Sequence, residues 1–185
     1  AATGGRQDLL FGAIDVYNEA AYDLLEESTP RLPVREHSIG GAFFAAGAQW
    51  CSIEGAADAE AALSDASRHR AVGAHALNRD SSRSHAVFTV MVQTYPPGAA
   101  TSAARSAVLV FVDLAGSERR EQTGTSGHAA DESAAINKSL LALNRCVTAL
   151  AEASASGDGP SAGSAAPARR SHVPYRSSVL TRLLR

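Results

Sequence analysis

Residues 107–112, AVLVFV, are six apolar residues in a row, and the run stops on Asp113. A stretch this short and this rich in β-branched and aromatic side chains fits a strand covered on both faces, since a half-exposed strand alternates apolar with polar. The expectation is a strand central in its sheet. Upstream, 86–93 (AVFTVMVQ) is a second strand, and the intervening YPPGAATSAARS is too short for a crossover helix. Antiparallel pairing is the simplest geometry. It brings residues 78–85, before the first strand, and 113–118, after the second, to the same end of the sheet.

The rest of the chain supplies the other layers. LFGAIDVY, 10–17, reads as a strand, and NEAAYDLLEES after it as a helical or turn segment closed by Pro30 and Pro33. LPVRE (32–36) and AFFAA (42–46) read as two short strands around Gly40-Gly41, and the Ala-rich stretch 53–70 as a helix. Ile136, Leu140, Leu143, Val147 and Leu150 recur at helical spacing, which predicts a helix over about 134–152 with one apolar stripe. Residues 154–171 are a low-complexity, flexible loop, and SSVLTRLLR resumes a helical pattern. At 185 residues with 45% hydrophobic content the chain fits one α/β domain, or most of a larger one.

Several function classes drop out. With 17 Lys+Arg against 19 Asp+Glu the formal charge is -2, so no broad basic face for nucleic acid emerges. Cys51 and Cys146 make no disulfide framework and sit in no metal-ligand spacing. No apolar run reaches the roughly 18 residues that span a bilayer. The chain begins on Ala1 and closes on an apparent helix without a Gly or Pro stop, which gives the expectation of a fragment.

An acid at the carboxyl end of a buried strand, followed three residues later by Gly, is the arrangement that holds a Mg²⁺ hydration shell while a bare amide approaches a phosphate. Asp113 and Gly116 are the candidates. The same pattern also ends many strands with no phosphate chemistry. At the same sheet end NRDSSRSH, 78–85, gathers three serine hydroxyls, an Arg and a His. It can serve Mg²⁺ and water, or be a solvated polar loop. Glu118 lies within reach of Arg83 in this geometry, so the two can latch both loops together. His85 reads as a structural hydrogen-bonding residue rather than a general base.

NRDSSRSH and DLAGSE resemble switch I and switch II of the kinesin motor domain. AIDVYNEAAYDLL (13–25), INKSLLAL (136–143) and HVPYRSSVLTRLL (172–184) resemble, in order, one of its strands with the turn that follows, the start of its relay helix and its tubulin-facing segment. The resemblance implies a partial motor domain over 1–185 of the phosphate-loop NTPase class: a mixed β-sheet with helices on both faces, incomplete. ATP and Mg²⁺ are the implied cofactors. Ser82 would ligate Mg²⁺ directly and Asp113 through water, Ser81 would help hold the attacking water, and Gly116 would sense the γ-phosphate. Arg83 and Glu118 would form the closing salt bridge, with Asn137 supporting it from the helix start. Arg169, Arg170, His172, Tyr175, Arg176 and Arg182 would face tubulin. The implied partner is the microtubule and the implied location the cytoplasmic cytoskeleton, with no nucleic acid, no membrane, and a dimer left open through a coiled coil outside these residues.

The match has gaps. No G-x-x-x-x-G-K-[ST] occurs, and Lys138, the only lysine, belongs to the relay-helix motif. The fragment alone is therefore expected to be inactive, with an unpaired sheet edge where the phosphate-loop strand would lie. GTSGHAADESAA, 124–135, reads as a loop poor in the family's basic residues, and Val179 replaces a Lys. Two readings stand: an ATP-driven microtubule motor in the full-length parent, or a kinesin-like microtubule-binding module without ATP turnover. A GTPase switch is disfavoured because N-K-x-D is absent.

Overall fold

Strand β1 (Arg6–Tyr17) organises the molecule, pairing antiparallel with three others. The computed structural model describes residues 6–38, 41–76, 81–96, 105–116, 128–155 and 172–185. The further strands are β2 (Ala20–Asp23), β3 (Arg31–Leu32), β4 (Val34–Glu36), β5 (Phe43–Ala45), β6 (Cys51–Ile53), β7 (His85–Tyr95) and β8 (Arg105–Asp113). The main sheet runs β3-β2-β1-β7-β8, with β6 also on β1, while β4 and β5 form a separate hairpin. Helices α1 (Ala56–Ala76), α2 (His128–Ala155) and α3 (Val179–Leu183) complete the fold.

The period-2 alternation of β1 assigns its two faces. Phe11 and Ala13 point toward α1, whose Ala62 and Ala66 let the helix approach closely; Phe88 of β7 joins them. Val16, Val87, Val179 and Leu180 form the opposite cluster, which Leu143 of α2 also touches. Helices thus cover both faces, as expected. Every pairing among the described strands is antiparallel. α3 starts on a capping box, in which Ser178 and Thr181 each accept the other's backbone N–H.

In four places the structure corrects a sequence expectation or decides between its alternatives. NEAAYDLLEES takes the turn rather than the helix: Asn18 and Glu19, with φ of 47° and 57°, make a tight turn into β2. Two successive left-handed residues match the twist of a hairpin, and Asn tolerates that conformation. Pro33 breaks the expected 32–36 strand into β3 and β4, because a proline cannot donate to a ladder. α1 and α2 differ from 53–70 and 134–152, and α2 begins early enough to absorb much of the expected 124–135 loop.

The fourth correction concerns β8, which is an edge strand among the described residues rather than a central one. Val108, Leu109, Val110 and Phe111 are 42–58% exposed. The apolar run signals burial on both faces, but only β7 pairs with it here. On α2 the apolar stripe and the buried face also diverge. Glu132, Ser139, Ala142 and Cys146 are the buried residues, whereas Val147 and Leu150 are exposed. Small side chains on that face allow close packing against the loops at the sheet end.

Candidate functional site: the loop cluster at the end of the β7–β8 hairpin

Register pairs β7 and β8 from Thr94 opposite Arg105 to Ala86 opposite Asp113, so the hairpin delivers both loops to one end. A 3₁₀ turn, Ser81–Arg83, precedes β7. Gly116 N–H donates to Ser82 C=O at 3.3 Å, which joins the two loops directly. Ser81 opens the turn, and the Asp113 side chain, 64% exposed, closes β8.

One cation missed by sequence reasoning organises this end. Arg70, on α1, places Nη1 2.7 Å from Asp113 Oδ2 and Nε 3.4 Å from Asp15 Oδ1. Its Nη2 donates to Ser84 C=O at 2.9 Å and lies 3.3 Å from Ser84 Oγ. The planar guanidinium serves divergent acceptors at once, which an ammonium could not do. The only sequence signal was an arginine near the end of a helix preceding the polar loop.

His85 is buried between the two layers. Its Nδ1 accepts the Ala115 N–H at 3.0 Å, and its Nε2 lies 2.7 Å from Ser139 Oγ. A ring nitrogen that accepts an amide proton carries none, so the proton resides on Nε2 and is donated to Ser139. Ser139 in turn donates to Ile136 C=O at 2.8 Å. Burial pushes the His85 pKa below its ordinary value, the Arg70 charge adds to this, and Asp113 opposes it. A neutral, hydrogen-bonding His85 agrees with the sequence reading.

Arg83 binds Glu132 of α2, Nη1 to Oε2 at 2.6 Å, and Tyr17 donates its hydroxyl to the other oxygen of that carboxylate. Glu118, the expected partner, lies outside the described residues. Asn137 is exposed and roughly two and a half turns beyond His128, not at the helix start. Its neighbour Lys138 pairs with Glu19 at 3.1 Å.

Among the tubulin-facing candidates, Arg176 donates to Glu36 Oε2 at 2.6 Å and lies over Phe43. Arg185 reaches the same carboxylate at 3.5 Å and lies over Phe43 and Tyr175. Arg182 lines a surface groove of about 410 Å³ with Glu19, Arg31 and Val179. His172 precedes the 3₁₀ turn Tyr175–Ser177. Arg169 and Arg170 lie outside the described residues. Val179, where the resemblance implies a Lys, is buried in the core and contributes packing instead of charge.

The donors suit a sparsely liganded Mg²⁺. No group of three His, Cys, Asp or Glu converges among the described residues. Mg²⁺ keeps several waters and takes one or two protein oxygens plus phosphates, and the Asp113 carboxylate and the Ser82 hydroxyl are oxygens of that kind.

A model of the kinesin motor domain matches residues 6–185. The kinesin-like protein KIF15 of Mus musculus is 40% identical over 172 residues, covering 93% of this chain and 12% of the relative. Kinesin-like protein KIN-12D of Arabidopsis thaliana is 36% identical, over 92% of this chain and 6% of its own length. A fast kinesin of known structure superposes with a TM-score of 0.75 at 33% identity, over 100% of this chain and 47% of that one. A kinesin 6 structure gives 0.79 at 28% identity, over 97% and 46%.

Proposed function

Since the chain belongs to the kinesin motor domain family, we propose that it forms the switch-bearing part of an ATP-driven microtubule motor. The observation that carries this reading is the loop cluster in which Gly116, three residues past Asp113, bonds to Ser82 and from which Arg83 and His85 reach α2. Such a cluster converts a small change at a phosphate into a displacement of a helix.

In this reading Ser82 would supply a hydroxyl to Mg²⁺ and Asp113 would order its water shell. When bound, the metal would supply positive charge that offsets the charge of the phosphates. Ser81 orients the attacking water. The Gly116 amide, engaged with Ser82 C=O through a long bond, turns toward the γ-phosphate at little cost. Arg83 then exchanges Glu132 for Glu118, which frees the amino-terminal half of α2 to shift, with Asn137 on its outer side. Phosphoryl transfer to water needs no covalent nucleophile, so positioning and charge are the residues' whole contribution. The microtubule lattice is the partner, through Tyr175, Arg176, Arg182, His172 and the Arg169-Arg170 pair, and the cytoskeleton is the location. Acidic tubulin would compete with Glu36 for Arg176.

A second reading has its own observation. The residues carry no G-x-x-x-x-G-K-[ST], and their one lysine is occupied by Glu19. A microtubule-binding module without turnover would look the same. Microtubule-stimulated ATP hydrolysis by the full-length protein decides between them. The motor reading expects stimulation that Arg83→Ala abolishes; microtubule binding with no hydrolysis would install the module instead.

A further inference from the structure

The Arg83 latch is not the only connection between the loop cluster and α2. The imidazole of His85 spans from the Ala115 amide, adjacent to Gly116, to the Ser139 hydroxyl on α2. His85 is 2% exposed and Ser139 likewise 2%, so water cannot replace either bond. Each partner is fixed from behind. Ala115 lies two residues past the end of β8, and Ser139 is held to Ile136 C=O. The bonds run in one direction, from amide to Nδ1 and from Nε2–H to hydroxyl to carbonyl, and a chain of this kind is cooperative.

We propose that His85 and Ser139 are positioning residues that tie the end of β8 to α2, so that the loop bearing Gly116 and the helix move as one piece. This rests on the motor reading, since the displacement transmitted is the one that a γ-phosphate would start at Gly116. The Arg83–Glu132 pair is an ionic latch that can exchange partners. The His85–Ser139 link has no alternative acceptor among the described residues and stays closed while the latch switches. Coupling then depends on the link, and the chemical step does not.

The serine end is the one to test, because Ser139→Ala removes a hydroxyl and leaves the loop cluster's own atoms in place. Ser139→Thr restores the hydroxyl, and a helical threonine can keep the bond to the preceding turn. In the full-length protein, Ser139→Ala is expected to keep basal ATP turnover within about twofold of wild type while microtubule-stimulated turnover falls about fivefold, the size of one buried hydrogen bond. Ser139→Thr is expected to restore stimulation. His85→Asn, which retains an acceptor near Nδ1 but cannot reach Ser139, should behave like Ser139→Ala.

Equal losses in basal and stimulated turnover, or no loss in either, would overturn the proposal. Amide hydrogen exchange at Ala115 gives a readout free of activity: Ser139→Ala should accelerate it and Ser139→Thr should not. If the wild-type protein shows no turnover, the motor reading has failed on its own, and unchanged exchange at Ala115 would then sink the link as well.

Discussion

Arg83 Nη1 lies 2.6 Å from Glu132 Oε2, joining a loop and a helix separated by 49 positions in sequence. The two ends are unequally placed, with the arginine side chain 30% exposed and the glutamate 7%. Arg83→Ala strands a carboxylate away from water, with Tyr17 as its remaining partner among the described residues. Glu132→Ala leaves a guanidinium that can turn to solvent.

Urea unfolding should therefore rank the variants. Arg83→Ala is expected to cost about 3 kcal/mol and Glu132→Ala roughly half of that, with the double variant close to Glu132→Ala. The reverse order would mean that the carboxylate finds another cation.

Acidification should weaken the fold through His85. Its pKa is lowered from 6.5 in the folded chain, so below that value the unfolded state holds the extra proton. The stabilisation is complete above about pH 6.5 and is lost as pH falls toward the folded-state pKa. Thermal melts from pH 7.5 to 5.5 should show a falling midpoint, with a slope no steeper than about 1.4 kcal/mol per pH unit from this group. His85→Asn is expected to flatten that segment; an unaltered slope would assign it to another group.

Arg70 is the structural hub on the opposite side of the sheet. Asp15, 5% exposed, is paired with it away from water, while Asp113, 64% exposed, can turn to water. Arg70→Ala should lower stability by about 3 kcal/mol and Asp113→Asn by under 1 kcal/mol. Arg70→Lys should recover little, because one ammonium cannot serve Asp15, Asp113 and Ser84 together. Denaturant midpoints measure all three; full recovery by lysine would refute the divergent-acceptor account.

The open edge of β8 should drive self-association of this polypeptide expressed by itself. Among the described residues β8 is the edge of the sheet, and Leu109 and Phe111 on it are 57% and 58% exposed. Changing both to Lys is expected to reduce light scattering at fixed protein concentration. Unchanged scattering would place the sticky surface elsewhere, with the exposed Val147 and Leu150 of α2 as the alternative.

The hairpin and the meeting of its two loops were legible because two strands with a short connection admit one simple pairing. The role of His85 was legible from its place at a strand start. Arg70 and Glu132 were not, since both are brought to the site by helices whose packing no local pattern encodes. Glu132 was hidden further by a polar, alanine-rich stretch that reads as loop until α2 folds through it. The burial of β8 was misjudged because an apolar run reports what a strand can bury, not what lies beside it. On α2 the apolar spacing located the helix but not its buried face, which uses Ser139, Ala142 and Cys146 to gain proximity.

The β7–β8 hairpin has a second end. From Ala86–Asp113 to Thr94–Arg105 the ladder advances eight positions, about 27 Å at strand rise. Changes of length or chemistry beyond Tyr95 and Arg105 are insulated from the loop cluster by the whole ladder. A fluorophore or purification handle attached there would report on the protein without touching that cluster.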